Sequence, residues 1–125
     1  MNGWPGFLKG ALLEAVAGNA SQQQAAAQLL KDCGRQVEWV SDQLGFIGAR
    51  IVSAIINEAY QALQEKVSSK TDIDTAMKLG TNYPMGPFTW ATAIGVKNVY
   101  RLLKKLSIEQ PRYTPAMLLK EEAEQ

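Results

Sequence analysis

Lys70-Thr71-Asp72-Ile73-Asp74-Thr75-Ala76-Met77-Lys78-Leu79-Gly80-Thr81-Asn82-Tyr83-Pro84-Met85-Gly86-Pro87-Phe88 places a short helix directly before a turn gated by two prolines. Ser69-Lys70-Thr71-Asp72 has the spacing of a capping box, in which the serine and the acid satisfy each other's backbone donors at a helix start. Gly80 is the expected close of that helix, because glycine tolerates the left-handed conformation past a last turn. Tyr83 and Gly86 each precede a proline and are pushed out of the helical region, while Pro87 suits the first turn of a new helix. The stretch predicts a helix, a rigid turn and a second helix.

Working outward, residues 46–67 carry Ile47, Ile51, Ile55, Ala59 and Leu63 on one stripe and Val52, Ile56 and Tyr60 on the next. This is a helical period with an apolar arc wide enough to pack on two sides. Residues 88–94 form the helix behind the proline turn and Gly95 ends it. Residues 96–106 turn Val96, Val99, Tyr100, Leu103 and Leu106 inward, with Lys97, Arg101, Lys104 and Lys105 outward. Thr114, with Pro115 behind it, is the expected cap of a last helix through Leu118 and Leu119.

The first 43 residues read differently. Leu12-Leu13-Glu14-Ala15-Val16 is a short mixed apolar run, and Gln36-Val37-Glu38-Trp39-Val40 alternates polar with β-branched or aromatic residues, as a strand does. Between them a helix starts at Asn19 or Ser21 and ends at Gly34. Two strands and one helix cannot build an independent sheet, so this segment reads as part of something larger. The expected division is residues 1–43 and residues 44–125.

The whole chain is 125 residues, one domain's worth, with 13 Lys and Arg against 12 Asp and Glu. So balanced a charge gives no field to steer the chain to nucleic acid or a membrane surface. The run 46–63 is apolar but broken by Arg50, Asn57, Glu58 and Gln61, and the N-terminus lacks the pattern of a secretory signal. Cys33 stands alone and there is no histidine, which leaves no disulfide and no soft metal site. A soluble, cytoplasmic protein is the expectation.

Three ordered blocks carry a family resemblance: residues 70–88; Asp42-Gln43-Leu44-Gly45-Phe46-Ile47-Gly48-Ala49-Arg50; and Arg112-Tyr113-Thr114-Pro115 with Leu118-Leu119. Together they resemble the C-terminal helical domain of the 3-hydroxyacyl-CoA dehydrogenases, most closely the 3-hydroxybutyryl-CoA type. The resemblance implies a mainly α fold, a helical bundle like the 6-phosphogluconate/3-hydroxyacyl-CoA dehydrogenase C-terminal domain, preceded by a strand-helix-strand remnant of a nucleotide-binding domain. It implies a role in reversible oxidation of a (3S)-3-hydroxyacyl-CoA with NAD, in fatty acid metabolism. In that family the helical domain supplies homodimer contacts and part of the acyl-CoA pocket. A stand-alone, non-catalytic dimerisation or acyl-CoA-binding module is the alternative.

Hydride transfer needs a glycine-rich phosphate cradle at a strand-to-helix turn, and Gly3, Gly6 and Gly10 follow no strand and have no such spacing. The family's base is a histidine held by a glutamate, and no histidine is present. The segment from Asn2-Gly3-Trp4-Pro5 to Glu14-Ala15-Val16 resembles the family segment that begins just after that histidine and ends in the strand bearing its partner. Glu14 falls on that partner, though the approach to it is a few residues longer than usual. This chain alone is therefore expected to bind no NAD, hold no metal and be inactive. The resemblance also implies substrate contacts at Ala49, Arg50, Tyr83, Pro84 and Met85. Ala49 stands where the family places asparagine or threonine, and an alanine side chain neither donates nor accepts. Asn57 and Glu58, polar on an apolar helix, need partners: either a pocket or a neighbouring loop. The basic face of Lys97, Arg101, Lys104 and Lys105 reads as solvated or as a contact for CoA phosphates.

Overall fold

The structure, a computed structural model, describes residue 1 and residues 3–125; the part of the resemblance that rests on Asn2 lies outside the described residues. The chain divides into two compact units, Met1–Ala49 and Arg50–Gln125.

The first unit holds β1 (Leu12–Ala15), α1 (Ala20–Asp32) and β2 (Gln36–Trp39). The strands pair in parallel, with Leu13 opposite Val37 and Glu14 opposite Glu38. A parallel pair needs a crossover, and α1 supplies it. Asn19 caps α1 by accepting the Gln22 N–H at 2.9 Å. At the other end Gly34, with φ +70°, gives its N–H to the Lys31 carbonyl while Arg35 gives its own to Leu30. This is the paired closure that a left-handed residue allows. The Arg35 guanidinium ties down the preceding turn by donating to the Leu8 and Gly10 carbonyls. None of the residues of α1 is buried; the buried apolar residues of this unit are Leu13, Ala15 and Ala49.

The second unit is helical: α2 (Gly48–Gln64, its first two residues in the first unit), α3 (Lys70–Thr81), α4 (Pro87–Ile94), α5 (Val96–Glu109) and α6 (Met117–Glu124). Its core is Ile56 and Tyr60 of α2, Phe88, Ala91 and Ile94 of α4, Val99, Leu102, Leu103 and Leu106 of α5, and Leu119 of α6. The Tyr60 and Phe88 rings meet edge-on at 5.0 Å, an arrangement aromatic quadrupoles favour.

Several boundaries differ from the sequence expectation, each for a local reason. The helix expected over 46–67 runs over Gly48–Gln64. At its start Gly45 and Phe46 both have positive φ, 79° and 49°, so the chain is still in a turn there. At its end Lys66 is left-handed, and Lys66 and Val67 donate to Leu63 and Ala62, a paired closure made without glycine. Gly80 lies inside α3; Asn82, at φ 56°, is the left-handed residue that ends it. At the start of α3 the Ser69 hydroxyl accepts the Asp72 N–H, but the Asp72 carboxylate takes the Ser69 hydroxyl rather than a backbone donor.

The last helix shows the largest difference. Thr114 is not its cap: the Thr114 hydroxyl donates back to Pro111, across a 3-10 turn at Pro111–Tyr113. The helix opens at Met117 behind Ala116, and its exposed donors are met from α2. Asn57 Oδ1 accepts the Ala116 N–H at 2.8 Å and Gln64 Oε1 accepts the Met117 N–H at 3.0 Å. Asn57 also donates to the Thr114 carbonyl, so its partner is the neighbouring loop and not a pocket, while Glu58 is exposed.

The proline turn is fastened in the same remote way. Gly86, before α4, has no side chain to offer, and Asp74 of α3 accepts the backbone N–H groups of Phe88 and Thr89 and the Thr89 hydroxyl, at 2.7, 2.9 and 2.7 Å. A Cβ on Gly86 would sit 2.3 Å from the Asp74 carboxyl carbon. The approach of that carboxylate is what requires glycine here.

Candidate functional site

Glu14 lies in β1. Its Oε1 accepts the Gly48 N–H at 2.7 Å. Gly48 is the first residue of α2, where backbone N–H groups lack intrahelical partners and carry the positive end of the helix dipole. The carboxylate is thereby fixed in direction. Gly48 makes room for it: a Cβ there would lie 2.8 Å from a ring carbon of Phe7 and 3.4 Å from both Glu14 oxygens. Glu14 Oε2 is shielded from solvent and has no hydrogen-bond partner among the described residues. An orphaned carboxylate oxygen inside a protein is costly. Chemically the arrangement is a clamped carboxylate with one acceptor position available for a donor.

The strand-to-helix turn after β1 is where a dinucleotide pyrophosphate would have to sit. It carries one glycine, Gly18, whose N–H is taken by Gln22 Oε1 at 3.2 Å, and Gln22 stands 2.9 Å from a Cβ placed on Gly18. A dinucleotide cradle instead carries closely spaced glycines with open backbone N–H groups at such a turn. Gly6, at φ 89°, leads into a 3-10 turn at Phe7–Lys9. Among the described residues no group of three acidic, Cys or His side chains is placed to hold a metal ion. A cleft of about 310 Å³ lies beyond the end of β2, lined by Trp39, Val40, Ser41, Gln43, Phe46 and Ile47 with Glu38.

The substrate positions expected from sequence fall into separate places. Ala49, next to Gly48, is 2 % exposed. In the second unit the Arg50 Nε–H donates to the Tyr113 hydroxyl at 3.3 Å, and the Arg112 Nη2–H donates to the same oxygen at 3.0 Å. The Arg50 hydrogen bond, opposed by burial and aided by the charge of both guanidiniums, lowers the Tyr113 pKa below the usual phenol value. Tyr83, Pro84 and Met85 lie in the turn between α3 and α4, where the Tyr83 ring packs on Trp90 at 5.4 Å. The basic residues Lys97, Arg101, Lys104 and Lys105 of α5 are exposed.

Sequence reading missed two constellations. One is the Arg50–Tyr113–Arg112 cluster, in which Arg50 lies 63 positions from Tyr113. The other surrounds Lys70, which pairs with Glu122 at 2.6 Å and lies 5.3 and 5.4 Å from the Tyr60 and Phe88 ring centroids. Burial, then the hydrogen bond to Glu122, raises the Tyr60 pKa well above the ordinary phenol value. Neither cluster has a local sequence signal.

Comparison with known proteins gives these features a context. The 3-hydroxyacyl-CoA dehydrogenase C-terminal domain family matches residues 45–125. A 3-hydroxyadipyl-CoA dehydrogenase of Escherichia coli is 42 % identical over 105 residues, which is 82 % of this chain and 22 % of that protein. A 3-hydroxybutyryl-CoA dehydrogenase of Bradyrhizobium diazoefficiens is 34 % identical over 110 residues, 86 % of this chain and 38 % of that protein. The crystal structure of (S)-3-hydroxybutyryl-CoA dehydrogenase from Ralstonia eutropha superposes with a TM-score of 0.83 at 35 % identity, over 89 % of this chain and 41 % of that one. The chain thus spans well under half the length of these relatives.

Proposed function

The chain belongs to the 3-hydroxyacyl-CoA dehydrogenase C-terminal domain family, and from that premise we propose that it is the C-terminal portion of an NAD-dependent enzyme interconverting (3S)-3-hydroxyacyl-CoA and 3-oxoacyl-CoA, with a short acyl chain. The observation that carries this reading is Glu14: one oxygen clamped by the Gly48 N–H, the other shielded and without a partner among the described residues. Its role is to hold an imidazole supplied from outside these residues, fixing its tautomer and stabilising its charge once it has taken the proton of the secondary alcohol. In this reading NAD is held by the same outside region, a view supported by the lack of closely spaced glycines after a strand in this sequence. Ala49 offers the substrate no side-chain group, so recognition at this point rests on shape and on the backbone.

The second unit contributes acyl-pocket wall and homodimer contacts in this reading, in a cytoplasmic enzyme of fatty acid metabolism. Support for self-association comes from Ile51 on α2, which is 54 % exposed although it lies on the apolar arc.

The test joins this chain to a family nucleotide-binding domain and compares Glu14 with Glu14→Gln in the reduction of acetoacetyl-CoA by NADH. The amide still orients an imidazole but stabilises its charge poorly, so turnover should fall on the order of 100-fold with folding unchanged. Equal turnover would reject the reading. The chain alone should not consume NADH, and activity of the purified chain above background would reject it equally.

A further inference from the structure

Tyr113 offers a chemical problem that its surroundings leave open. Its ring is buried, and its hydroxyl oxygen accepts from Arg50 Nε at 3.3 Å and from Arg112 Nη2 at 3.0 Å. A phenol oxygen has two acceptor positions and one proton to give. Both acceptor positions are taken by guanidiniums, so the O–H is directed outward as a donor, and among the described residues no acceptor receives it. The guanidinium carbons lie 5.3 and 4.8 Å from the ring centroid, one from α2 and one from the 3-10 turn before α6. Two delocalised cations and one phenolic donor therefore converge on a single point.

No carboxylate balances Arg112. Among the described residues it makes no ion pair, it is exposed, and its only hydrogen bond is to Tyr113. An exposed guanidinium without a carboxylate beside it, next to a phenolic O–H without an acceptor among the described residues, presents two donors that an oxyanion would accept together. Arginine is also suited to the task, since its planar fork matches the geometry of carboxylate and phosphate oxygens.

We propose that Arg50, Tyr113 and Arg112 form a binding site for a small oxyanion, a carboxylate or a phosphate group. The anion accepts the Tyr113 O–H and lies against the N–H groups of Arg112. The lowered pKa of Tyr113 agrees with this, because the same positive field that attracts an anion draws out the phenol proton. The competing account is that Tyr113 ionises and is itself the counter-anion.

The experiment titrates the ¹⁵N-labelled full chain with sodium phosphate and, separately, sodium acetate, holding ionic strength constant with chloride. The resonances followed are the arginine Nε–Hε groups and the backbone amides of residues 112–114. Saturable shifts at these positions are expected. Tyr113→Phe, which keeps the ring, and Arg112→Gln, at an exposed position, should each weaken binding about tenfold, the worth of one charge-assisted hydrogen bond. A response to phosphate alone identifies the phosphate class, and a response to acetate the carboxylate class. Shifts no larger than chloride produces, or equal in both variants, would overturn the proposal. So would tyrosinate absorbance from Tyr113 at neutral pH in the anion-free protein.

Discussion

The two units of the chain satisfy themselves to very different degrees. In Arg50–Gln125 the apolar faces of α2, α4, α5 and α6 close on one another, and helix ends with no cap of their own are met by side chains from elsewhere in the unit: α4 by Asp74, α6 by Asn57 and Gln64. In Met1–Ala49 the sheet has two strands, the helix packed on it buries none of its residues, and among the described residues the buried apolar side chains are Leu13, Ala15 and Ala49 alone. Amphipathic helices with interlocked caps make a self-sufficient domain. A two-stranded parallel sheet with one face of one helix against it does not.

The same substitution placed in each unit probes this contrast most strongly. Leu103→Ala removes a side chain that is wholly buried in α5 and should cost about 4 kcal/mol of the helical unit's stability, read from urea titration by circular dichroism. Leu13→Ala, at a site also buried, should leave that transition where it is. Equal losses would mean that the two units unfold as one.

Asn57→Ala tests the interlocked caps. It strands the buried Ala116 N–H and the part-buried Thr114 carbonyl together, and should cost about 2 kcal/mol in the same titration. A loss under about 1 kcal/mol would show that water takes over both partners.

Tyr60 gives the pH counterpart. Burial and Glu122 hold its folded pKa above the unfolded value of 10.0, so below pH 10 both states keep the proton and stability is full. Above pH 10 the unfolded state ionises while the folded state resists, and stability should fall by about 1.4 kcal/mol per pH unit from this group. Tyr60→Phe should flatten that slope; an unchanged slope would exclude Tyr60 as its source.

What could be read from sequence follows the same division. The helices of the second unit were legible from the spacing of Val99, Leu103 and Leu106 and from Ser69 and Pro87, because periodicity and caps are local signals. Both strands and α1 were also legible, with the close at Gly34 and a start at Asn19 or Ser21, of which Asn19 is the cap. The end of α3 was misread because Gly80 is the easier left-handed residue, whereas the chain turns at Asn82, whose side chain also tolerates that conformation. The start of α6 was misread because its caps come from Asn57 and Gln64, over fifty positions away. At the candidate site, Glu14 was identified by resemblance, whereas its clamp by Gly48 and the Arg50–Tyr113–Arg112 cluster arise only when distant segments meet.

Native-state amide hydrogen exchange on the full chain measures the central contrast directly, because it reports the opening free energy of each element separately. Amides of α5 and of the buried turns of α2 should exchange only through global unfolding, while those of β1 and β2 should exchange through local opening, faster by a factor of about 100 or more, the ratio a gap of about 3 kcal/mol produces. Exchange from β1 and β2 as slow as from α5 would contradict the account, showing that the first unit is as complete as the second.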